Sequence, residues 1–427
     1  MKRKNLFLSV LLVLGLFLAG CGGASTLDSE SSTEETASEE TASEEDLSDA
    51  SLEELIEKAD GTTVSFYGWG GDEALNRWLD EVYAVQLEEN YNITLDRVPM
   101  DIEEVLNILS TEKQAGETEG PVDMIWINGE NFQTAMENDF LYGPFTHQLD
   151  NFQDYVDEED PEHQQDFGYP IDGHEAPYGK AQFVLIKDEA VTEETPENAE
   201  ELLEFAQTYE GQVTYPALPD FTGSAFVRNI IYEFVDPSEF EDMEADKEIV
   251  AEAIEPAFEY LRELNPYLWN EGQTFPSDQP QLNNMFMDGE VVLMMSYGAY
   301  DVAVAIENGE YLETAQSFIF ENGTLGNTNF IAIAGNSTNK AGAMVAINEM
   351  LSPEMQASKY EQLRTLPVLD HDSLSEEQQA LFDEVDPGPG TIPQDELLSA
   401  RLPEMPGELV PIIEELWLEE VVGQYNE

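Results

Sequence analysis

Short apolar runs and amphipathic stretches alternate along the chain from Thr62 onward. Residues 64–67 (VSFY) are a strand-like run that enters the glycine-rich loop 68–72 (GWGGD). Beyond this loop, apolar side chains recur at the 3.6-residue period of an amphipathic helix, as Leu75, Trp78, Leu79 and Val82. Asp72 stands at the N-cap of that predicted helix, where its carboxylate can accept hydrogen bonds from free backbone amides.

The same alternation repeats before residue 132. Residues 93–98 predict a second strand, and Asp101 with Glu104 forms a capping-box pattern at the start of the next helix. Residues 122–127 (VDMIWI) predict a third strand, which ends in the loop 128–132 (NGENF). Strands and helices that alternate at this spacing predict an α/β fold with a parallel sheet and right-handed crossovers.

The second half of the chain continues in this way. Its predicted strands are 182–186, 212–215, 291–295 and 330–334. Its predicted helices begin at Thr195-Pro196, after the loop 219–224, at Ser352-Pro353, at Ser375 with its capping partner Gln378, and at Pro411. Residues 366–410 are rich in loop-forming residues.

The N-terminus has the pattern of an export signal. Residues 1–20 combine three basic residues near the start with an apolar run, which is too short for a lasting transmembrane helix. The only cysteine follows as Leu18-Ala19-Gly20-Cys21, which resembles a bacterial lipobox and implies lipidation at Cys21. Residues 24–50 are acidic and nearly free of apolar side chains, so residues 21–61 are predicted to be an acylated cysteine and a disordered tether.

The charge balance excludes several classes of partner. There are 91 acidic residues against 16 basic ones, a net charge of -75. Nucleic acids and anionic membrane surfaces bind clustered Lys and Arg, so neither is an expected partner. So many like charges repel one another in the folded protein, and dissolved salt screens this repulsion. The charge balance therefore favours adaptation to a salty medium over the alternative, a generic solubility surface.

Catalytic and metal-binding signatures are absent. A single cysteine excludes disulfides and CxxC chemistry, and HExxH, GxSxG, GxGxxG and GxxxxGK[ST] do not occur. The four histidines, at 147, 163, 174 and 371, do not have the spacing of metal ligands. We therefore expect no metal, no cofactor and no enzymatic activity, although an anchored carboxylate-dependent hydrolase and a surface adhesin stay open as alternatives.

Five segments follow one another in a familiar order: 68–72, 123–132, 176–179, 285–297 and 329–357. Together with the lipobox they resemble bacterial extracellular solute-binding proteins of ABC importers that have the type 2 periplasmic-binding-protein fold. The resemblance covers about residues 62–365 and is nearest to the branch of polyamine, thiamine and ferric-iron binders. Within that branch, residues 68–72 followed by 123–132 resemble a subgroup of unknown ligand.

The resemblance implies an α/β protein of two lobes, each a mainly parallel sheet flanked by helices, with a ligand cleft between them. By this analogy the chain crosses between lobes near 181–187, 293–298 and 326–332. The first lobe is then 62–180 plus 298–326, and the second is 181–297 plus 327–427. The acidic stretch 370–395 has no place in the pattern. The expected partners are a small solute and the permease subunits of an importer, with the protein a monomer anchored outside the cell membrane.

In open α/β sheets, ligands bind where strands end and loops enter helices. This rule selects three loops and, within them, Trp69, Gly70, Gly71, Asp72, Asn128, Gly129, Glu130, Asn131, Thr222, Gly223 and Ser224. The family resemblance adds Tyr178, Tyr297 and, in a turn at 326–329, Asn327 and Asn329. Each has a plainer interpretation as well, such as helix capping for Asp72, lobe packing for Trp69 or core packing for Tyr297.

Two ligand classes stay open. Aromatic faces with carboxylates, such as Trp69 with Glu130, suit an organic cation. Helix N-termini with hydroxyl groups, as at Thr222 and Ser224, suit an oxyanion or a carboxylate. The cation is the preferred hypothesis. Ferric iron is disfavoured because the adjacent tyrosine pair typical of iron binders in this branch is missing.

Overall fold

A computed structural model describes residues 47–423 of the chain. The predicted signal peptide, Cys21 and most of the predicted tether lie outside these residues. Within 47–423, no helix combines the length and the apolar character that a membrane crossing needs.

Twelve strands lie in the described residues. They are β1 Thr63–Gly68, β2 Thr94–Pro99, β3 Met124–Ile127, β4 Leu141–Tyr142, β5 Gln165–Asp166, β6 Tyr169–Pro170, β7 Glu175–Gln182, β8 Val184–Asp188, β9 Leu293–Ser296, β10 Ala315–Phe318, β11 Thr324–Ala334 and β12 Arg401–Leu402.

Seventeen α-helices lie in the same residues. They are α1 Leu52–Ala59, α2 Glu73–Trp78, α3 Ala84–Tyr91, α4 Ile102–Ala115, α5 Glu130–Glu137, α6 Asp150–Tyr155, α7 Pro161–Gln164, α8 Ala199–Thr208, α9 Phe221–Phe234, α10 Lys247–Leu264, α11 Gln279–Met287, α12 Asp301–Glu307, α13 Lys340–Met350, α14 Pro353–Leu363, α15 Glu376–Asp383, α16 Gln394–Ser399 and α17 Val410–Leu416.

The first lobe is built on a mixed sheet. Its strand order is β12-β11-β3-β1-β2, and β4 and β7 also pair with β11. The strand β1 pairs in parallel with β2 and β3, as predicted, whereas β3 and β7 are antiparallel to β11. The carboxyl ends of β1 and β3 therefore open at one edge of this sheet, from which two of the three predicted ligand loops emerge.

The second lobe has a smaller sheet of three antiparallel strands, in the order β10-β8-β9. The prediction of a mainly parallel sheet is therefore wrong for this lobe. The predicted strand at 212–215 is also wrong, because its backbone bonds irregularly: Gln212 O accepts from Val292 N and Val213 O from Trp269 N. Helices α9 and α10 bury their apolar faces in the same core as this sheet.

Strand pairing corrects the predicted lobe boundaries. Residues 298–326 were expected in the first lobe, yet Ala315–Phe318 pairs with β8 of the second sheet. Residues 327–427 were expected in the second lobe, yet Phe330–Ile333 pairs with β3, and α13 packs against α1 and β1. Such pairings join residues far apart in the chain, so local periodicity cannot reveal them.

Two long segments that pair with each other connect the lobes, and the chain returns to the second core once more between Val368 and Leu374. The chain leaves β7 and enters β8 at Phe183, whose N–H donates to Leu325 O at 2.8 Å, while Gln182 N donates to Tyr297 O at 3.1 Å. The return passage is β11, which pairs with β7 over Gly326–Ala332. The expected crossing near 293–298 is absent, because β9 leads into α12 within the second core.

Several predicted helix starts are confirmed and others shift. Ser352 caps α14, and Ser375 with Gln378 forms the predicted capping box of α15. Asp101 makes no capping hydrogen bond with its side chain, and α8 is capped by Asn198 rather than opened by Thr195-Pro196.

The predicted tether extends too far. Residues 52–59 form α1, which begins with a capping box between Ser51 and Glu54. Leu55 and Ala59 are fully buried in the core of the first lobe. The apolar side chains of this segment recur at helical spacing, which explains the helix. The prediction of a tether followed the acidic composition and overlooked this spacing.

Candidate functional site

The loop after β1 carries the first group of predicted ligand residues. Asp72 Oδ1 accepts from Ala74 N at 2.8 Å and from Leu75 N at 3.1 Å, which confirms the predicted cap of α2. Trp69 is 52% exposed, and its indole lies over Gly71, where a Cβ would stand 2.1 Å from the ring. The sequence GWGGD thus lets a large aromatic face remain at the surface of the loop.

Trp69 is part of an aromatic group in the first lobe. It lines a small pocket together with Trp126 and Tyr178. The rings of Trp126 and Tyr178 meet edge to face, with centroids 5.7 Å apart. Gly70 lies close to β2, because a Cβ there would stand 2.5 Å from Pro99 Cβ.

Asp301, the first residue of α12, faces this loop from the second lobe. Its side chain is exposed to water, yet desolvation by the surrounding protein raises its pKa to about 6, and the nearby charge of Asp72 adds to the rise. Ser296 donates a short hydrogen bond to the Asp301 carboxylate. The charge of Asp72 acts on Asp301, so the loop at 69–72 and the start of α12 lie near each other.

The loop after β3 lies beside the same edge of the first sheet. Gly129 has a positive φ of 60° and donates its N–H to Asp166 Oδ2 at 2.6 Å. Asn128 Nδ2 donates to Thr328 O at 2.9 Å. Asn131 Nδ2 lies 3.2 Å from Glu130 Oε1, so it orients the carboxylate that begins α5.

The start of α9 supplies the third predicted loop. Asp220 caps the helix by accepting from Gly223 N at 2.9 Å, and Thr222 is buried beside it. Gly223 is confined because a Cβ there would stand 2.2 Å from Pro216 O. Ser224 Oγ donates to Glu414 Oε1 at 2.8 Å and accepts from Arg228 Nη1 at 2.6 Å.

Arg228 is the centre of the polar cluster in the cleft. It is only 1% exposed, and its Nε and Nη2 donate to the two carboxylate oxygens of Glu404 at 3.2 and 3.3 Å. Tyr297 Oη donates a short hydrogen bond to the same carboxylate. The guanidinium also lies 5.9 Å from the ring centroid of Phe167 and 6.0 Å from that of Phe221, so two aromatic rings flank it.

Carboxylates outnumber the single guanidinium of this cluster. Burial raises the pKa of Glu130 and of Glu414, although the charge of Arg228 opposes the rise in both. Burial also raises the pKa of Asp166 well above its usual range, and the charges of Glu130 and Glu404 add to it. The cleft therefore holds more carboxyl groups than its single arginine can pair with.

The hinge strand β11 carries the remaining predicted residues. The expected turn at 326–329 is wrong, because these residues lie in a continuous strand. Asn327 Oδ1 and Thr328 Oγ1 are buried and have no hydrogen-bond partner within residues 47–423. Asn329 Oδ1 lies 3.5 Å from Asn128 Nδ2. The strand thus brings polar groups with unused bonding capacity to the junction of the lobes.

A buried lysine lies behind the aromatic group. Lys359 is 1% exposed, its Nζ lies 4.4 Å from the ring centroid of Tyr178, and it donates a short hydrogen bond to Tyr178 O. Burial lowers the pKa of Lys359 to about 7. No carboxylate within the described residues lies at ion-pair distance from this ammonium, whereas Arg228 has its partner.

The structure sorts the predicted residues into two neighbouring groups. Trp69, Gly70, Gly71, Asp72 and Tyr178 belong to the aromatic group, and Glu130, Ser224 and Tyr297 surround Arg228. Asn128, Asn327 and Asn329 lie between them on adjacent strands. Gly129, Asn131, Thr222 and Gly223 act mainly through the backbone or by supporting a neighbour.

Four further residues of the candidate site were not predicted from the sequence: Arg228, Glu404, Asp166 and Glu414. Arg228 offered a signal, since it is a charged residue within an otherwise apolar helix face and such a residue usually needs a buried partner. Nothing in the sequence distinguishes Glu404, Asp166 and Glu414 from the other acidic residues, of which the chain has 91 in all. Within the described residues, no group of His, Cys, Asp and Glu is arranged to hold a metal ion.

Comparison with known proteins gives a consistent picture at the level of sequence. Residues 83–381 match the family described as bacterial extracellular solute-binding protein. The chain is 36% identical over 310 residues to Protein YnjB of Escherichia coli (strain K12), and this similarity covers 72% of the chain and 79% of that protein.

Solved structures give the same picture at the level of fold. The spermidine/putrescine ABC transporter substrate-binding protein PotD from Streptococcus pneumoniae is similar over 83% of this chain and 99% of its own, with a TM-score of 0.56 and 14% identity. The ferric binding protein from Campylobacter jejuni is similar over 84% of this chain and 98% of its own, with a TM-score of 0.56 and 16% identity. The predicted two-lobed α/β fold is thereby confirmed.

Proposed function

We propose, from the premise that this chain belongs to the bacterial extracellular solute-binding proteins, that it captures a small organic cation between its lobes and delivers it to an ABC importer. The chain is a binding protein and not an enzyme, and it acts outside the cytoplasm, as its family does. The ligand class, the delivery step and the membrane anchor are the parts that we propose.

The excess of carboxylates around Arg228 carries the choice of a cation. Glu404 already neutralises the guanidinium through two hydrogen bonds. Glu130 and Glu414 remain without a cation of their own, and burial raises the pKa of both. A ligand ammonium between the lobes would take up this negative charge and favour the ionised carboxylates.

Aromatic side chains support the same ligand class. Trp69, in the loop after β1, and Phe221, the first residue of α9, are 52% and 46% exposed. The ring of Phe221 lies 4.9 Å from that of Tyr297. Exposed aromatic faces beside carboxylates attract organic cations through the ring quadrupole and exclude water from the bound ligand.

An oxyanion or carboxylate ligand is the second candidate, and Lys359 is the observation that favours it. This buried ammonium has no carboxylate partner within residues 47–423, so an anionic ligand group near it would supply the missing charge. The two candidate ligand classes depend on different residues: binding of a cation should require the charge of Glu130, and binding of an anion should require that of Lys359.

Membrane attachment completes the proposal. We infer that Cys21 is acylated and that the acidic segment after it holds the folded lobes near a permease. Adaptation of the acidic surface to a salty medium belongs to the same proposal.

The test is a thermal-shift screen of the protein in high salt against polyamines, thiamine derivatives, amino acids, sugars and oxyanions. A ligand at about 100 times its Kd stabilises the folded state by about 2.7 kcal/mol, which raises the melting temperature measurably. A cationic hit that also compacts the protein in small-angle scattering is the expected result. A hit restricted to oxyanions, lost in Lys359→Met and kept in Glu130→Gln, would replace the cation by the second candidate.

A further inference from the structure

The carboxylate of Glu404 fills a cradle of hydrogen-bond donors in the second lobe. Arg228 Nε donates to Oε2 at 3.2 Å and Nη2 donates to Oε1 at 3.3 Å, which is the two-pronged geometry in which guanidinium groups recognise carboxylates. Tyr297 Oη donates a short hydrogen bond to Oε1 as well. Three donors therefore converge on one carboxylate.

The donors of this cradle come from elements that are distant in the chain from Glu404. Arg228 lies in α9, and Tyr297 directly follows β9. Glu404 follows the short strand β12 in an irregular segment, and 176 positions separate it from Arg228. The elements α9 and β9 would therefore present the same donors to a carboxylate from another source.

Neighbouring side chains hold the donors in place. Ser224 Oγ, one turn before Arg228 in α9, accepts from Nη1 at 2.6 Å. The ring centroids of Phe167 and Phe221 lie 5.9 and 6.0 Å from the guanidinium carbon. Burial raises the pKa of Tyr297 well above its usual range, which keeps the phenol protonated and able to donate. Groups other than the bound carboxylate thus orient the cradle.

The cradle lies within the proposed ligand site. The charge of Arg228 acts on Glu130 and on Glu414, because it opposes the rise in the pKa of both. The side chains of Arg228 and Glu404 are only 1% and 4% exposed. While Glu404 is in place, the guanidinium is therefore closed to a second carboxylate.

We propose that Glu404 determines the charge specificity of the cluster around Arg228, because its carboxylate occupies the place at which the carboxylate of a ligand would pair with the guanidinium. This inference rests on the proposed function for the position of the ligand, and it names the residue that excludes carboxylate ligands from the cluster. A ligand carboxylate would have to displace Glu404 and leave its charge without a partner, which is costly in the interior. An ammonium group requires no displacement, because it binds the other carboxylates of the cluster.

Removal of the Glu404 carboxylate should turn the cradle into a site for small carboxylates. Glu404→Ala removes the Cγ methylene and the carboxyl group, which together have the size of acetate, and it leaves the donors of Arg228 and Tyr297 in place. Acetate bound there would supply both the counter-ion of the guanidinium and the acceptor for the phenol.

The experiment follows the thermal unfolding of the Glu404→Ala chain in increasing sodium acetate, with the total salt concentration kept constant by sodium chloride. We expect the melting temperature to rise and saturate, with a midpoint at an acetate concentration at least about tenfold lower than for the unchanged chain. Methylammonium chloride, a cation of similar size, should not cause this rise.

Two variants serve as controls, and neither should gain the acetate response. Glu404→Gln keeps a side chain of the same shape in the cradle without its charge. Glu408→Ala removes a carboxylate from an exposed position of the same segment. Because acetate is the probe, the result does not depend on the natural ligand. A ligand screen without a cationic hit would therefore count against the proposed function and not against the masking of Arg228.

Two results would overturn the role of Glu404. One is an acetate response of Glu404→Ala equal to that of Glu408→Ala. The other is a response that persists in Glu404→Ala with Arg228→Met, because acetate would then bind elsewhere.

A folding defect of Glu404→Ala also gives an answer. If this chain does not fold in chloride, its refolding from urea is followed by circular dichroism in increasing acetate, and recovery of the native spectrum is the expected result. Failure to recover, under conditions in which Arg228→Met with Glu404→Leu folds, would show that the pair is structural only.

Discussion

The two parts of the cleft differ in how the chain assembles them. The aromatic part is built from a loop between consecutive elements, in which Trp69 and Asp72 stand next to each other in sequence. The polar part joins Arg228 in α9 to Glu404, and 176 residues separate the two. One part is local and exposed, whereas the other is long-range and buried.

This difference predicts that one part mainly stabilises the fold and the other mainly binds the ligand. A buried Arg–Glu pair contributes to the stability of the fold, because either charge left alone in the interior is costly. Exposed aromatic and carboxylate groups at helix starts contribute little to stability and much to recognition. Mutations in the two parts should therefore separate loss of folding from loss of binding.

The largest effect is expected from breaking the buried pair. Glu404→Ala leaves the guanidinium of Arg228 buried without a counter-ion and should lower the free energy of unfolding by about 3 kcal/mol. Urea denaturation in high salt measures the change. Glu408→Ala, at an exposed position of the same segment, is the matched control and should change stability by less than about 0.5 kcal/mol.

The double variant Arg228→Met with Glu404→Leu sharpens this result. Removing both charges replaces the pair by apolar packing and should restore most of the lost stability. Glu404→Ala with a free energy of unfolding like that of Glu408→Ala would show that the pair does not stabilise the fold as the geometry indicates.

The same contrast explains what the sequence could and could not reveal. The period of Leu75, Trp78 and Leu79 and the cap at Asp72 are local patterns, so the strand, the loop and the helix around them were predictable. Glu404 lies in an irregular segment, and its role depends on a partner that no local pattern identifies. The lobe assignment of 298–326 failed for the same reason, since the pairing of β10 with β8 is non-local.

Composition misled the interpretation at one end of the chain. The acidic context of residues 52–59 resembles the tether before it, but Leu55 and Ala59 form a buried helical face. An acidic composition is compatible with both a disordered segment and the exposed face of a helix. The spacing of the apolar side chains is what indicates that a segment packs against the core.

A smaller effect, on binding alone, is expected at Glu130, which lies in the polar part but has no cation of its own within the described residues. Glu130→Gln keeps the shape of the side chain and removes its charge, so affinity for a cationic ligand should fall by about tenfold. Glu137→Gln, at the exposed opposite end of α5, is the matched control. Titration calorimetry measures both, and equal affinities in the two variants would remove Glu130 from the site.

Trp69→Ala tests the aromatic contribution in the same assay. A cation over the indole should lose about two- to fivefold in affinity when the ring is removed. The melting temperature without ligand should stay unchanged, because the side chain is half exposed. Loss of stability without loss of affinity would assign Trp69 to packing between lobes instead.

The smallest expected effect is the dependence of affinity on pH. Burial raises the pKa of Glu130 and Glu414, and the pKa of Asp301 rises to about 6. A cation binds the ionised carboxylates, so its affinity should be constant above the raised pKa values and fall by a few-fold as the pH drops through them.

The protein without ligand should respond in the opposite direction. A carboxyl whose pKa is raised in the folded state favours folding when it is protonated, so these groups add stability as the pH falls and lose it as the pH rises through their folded-state pKa values. The stabilisation that the ligand adds depends on its affinity for the folded state, so the thermal shift should shrink at low pH as that affinity falls. Glu130→Gln should flatten the pH profile of affinity, whereas Glu137→Gln should leave it intact. An affinity that rises on acidification would instead indicate an anionic ligand, because protonation of Lys359, whose pKa is lowered to about 7, would then assist binding.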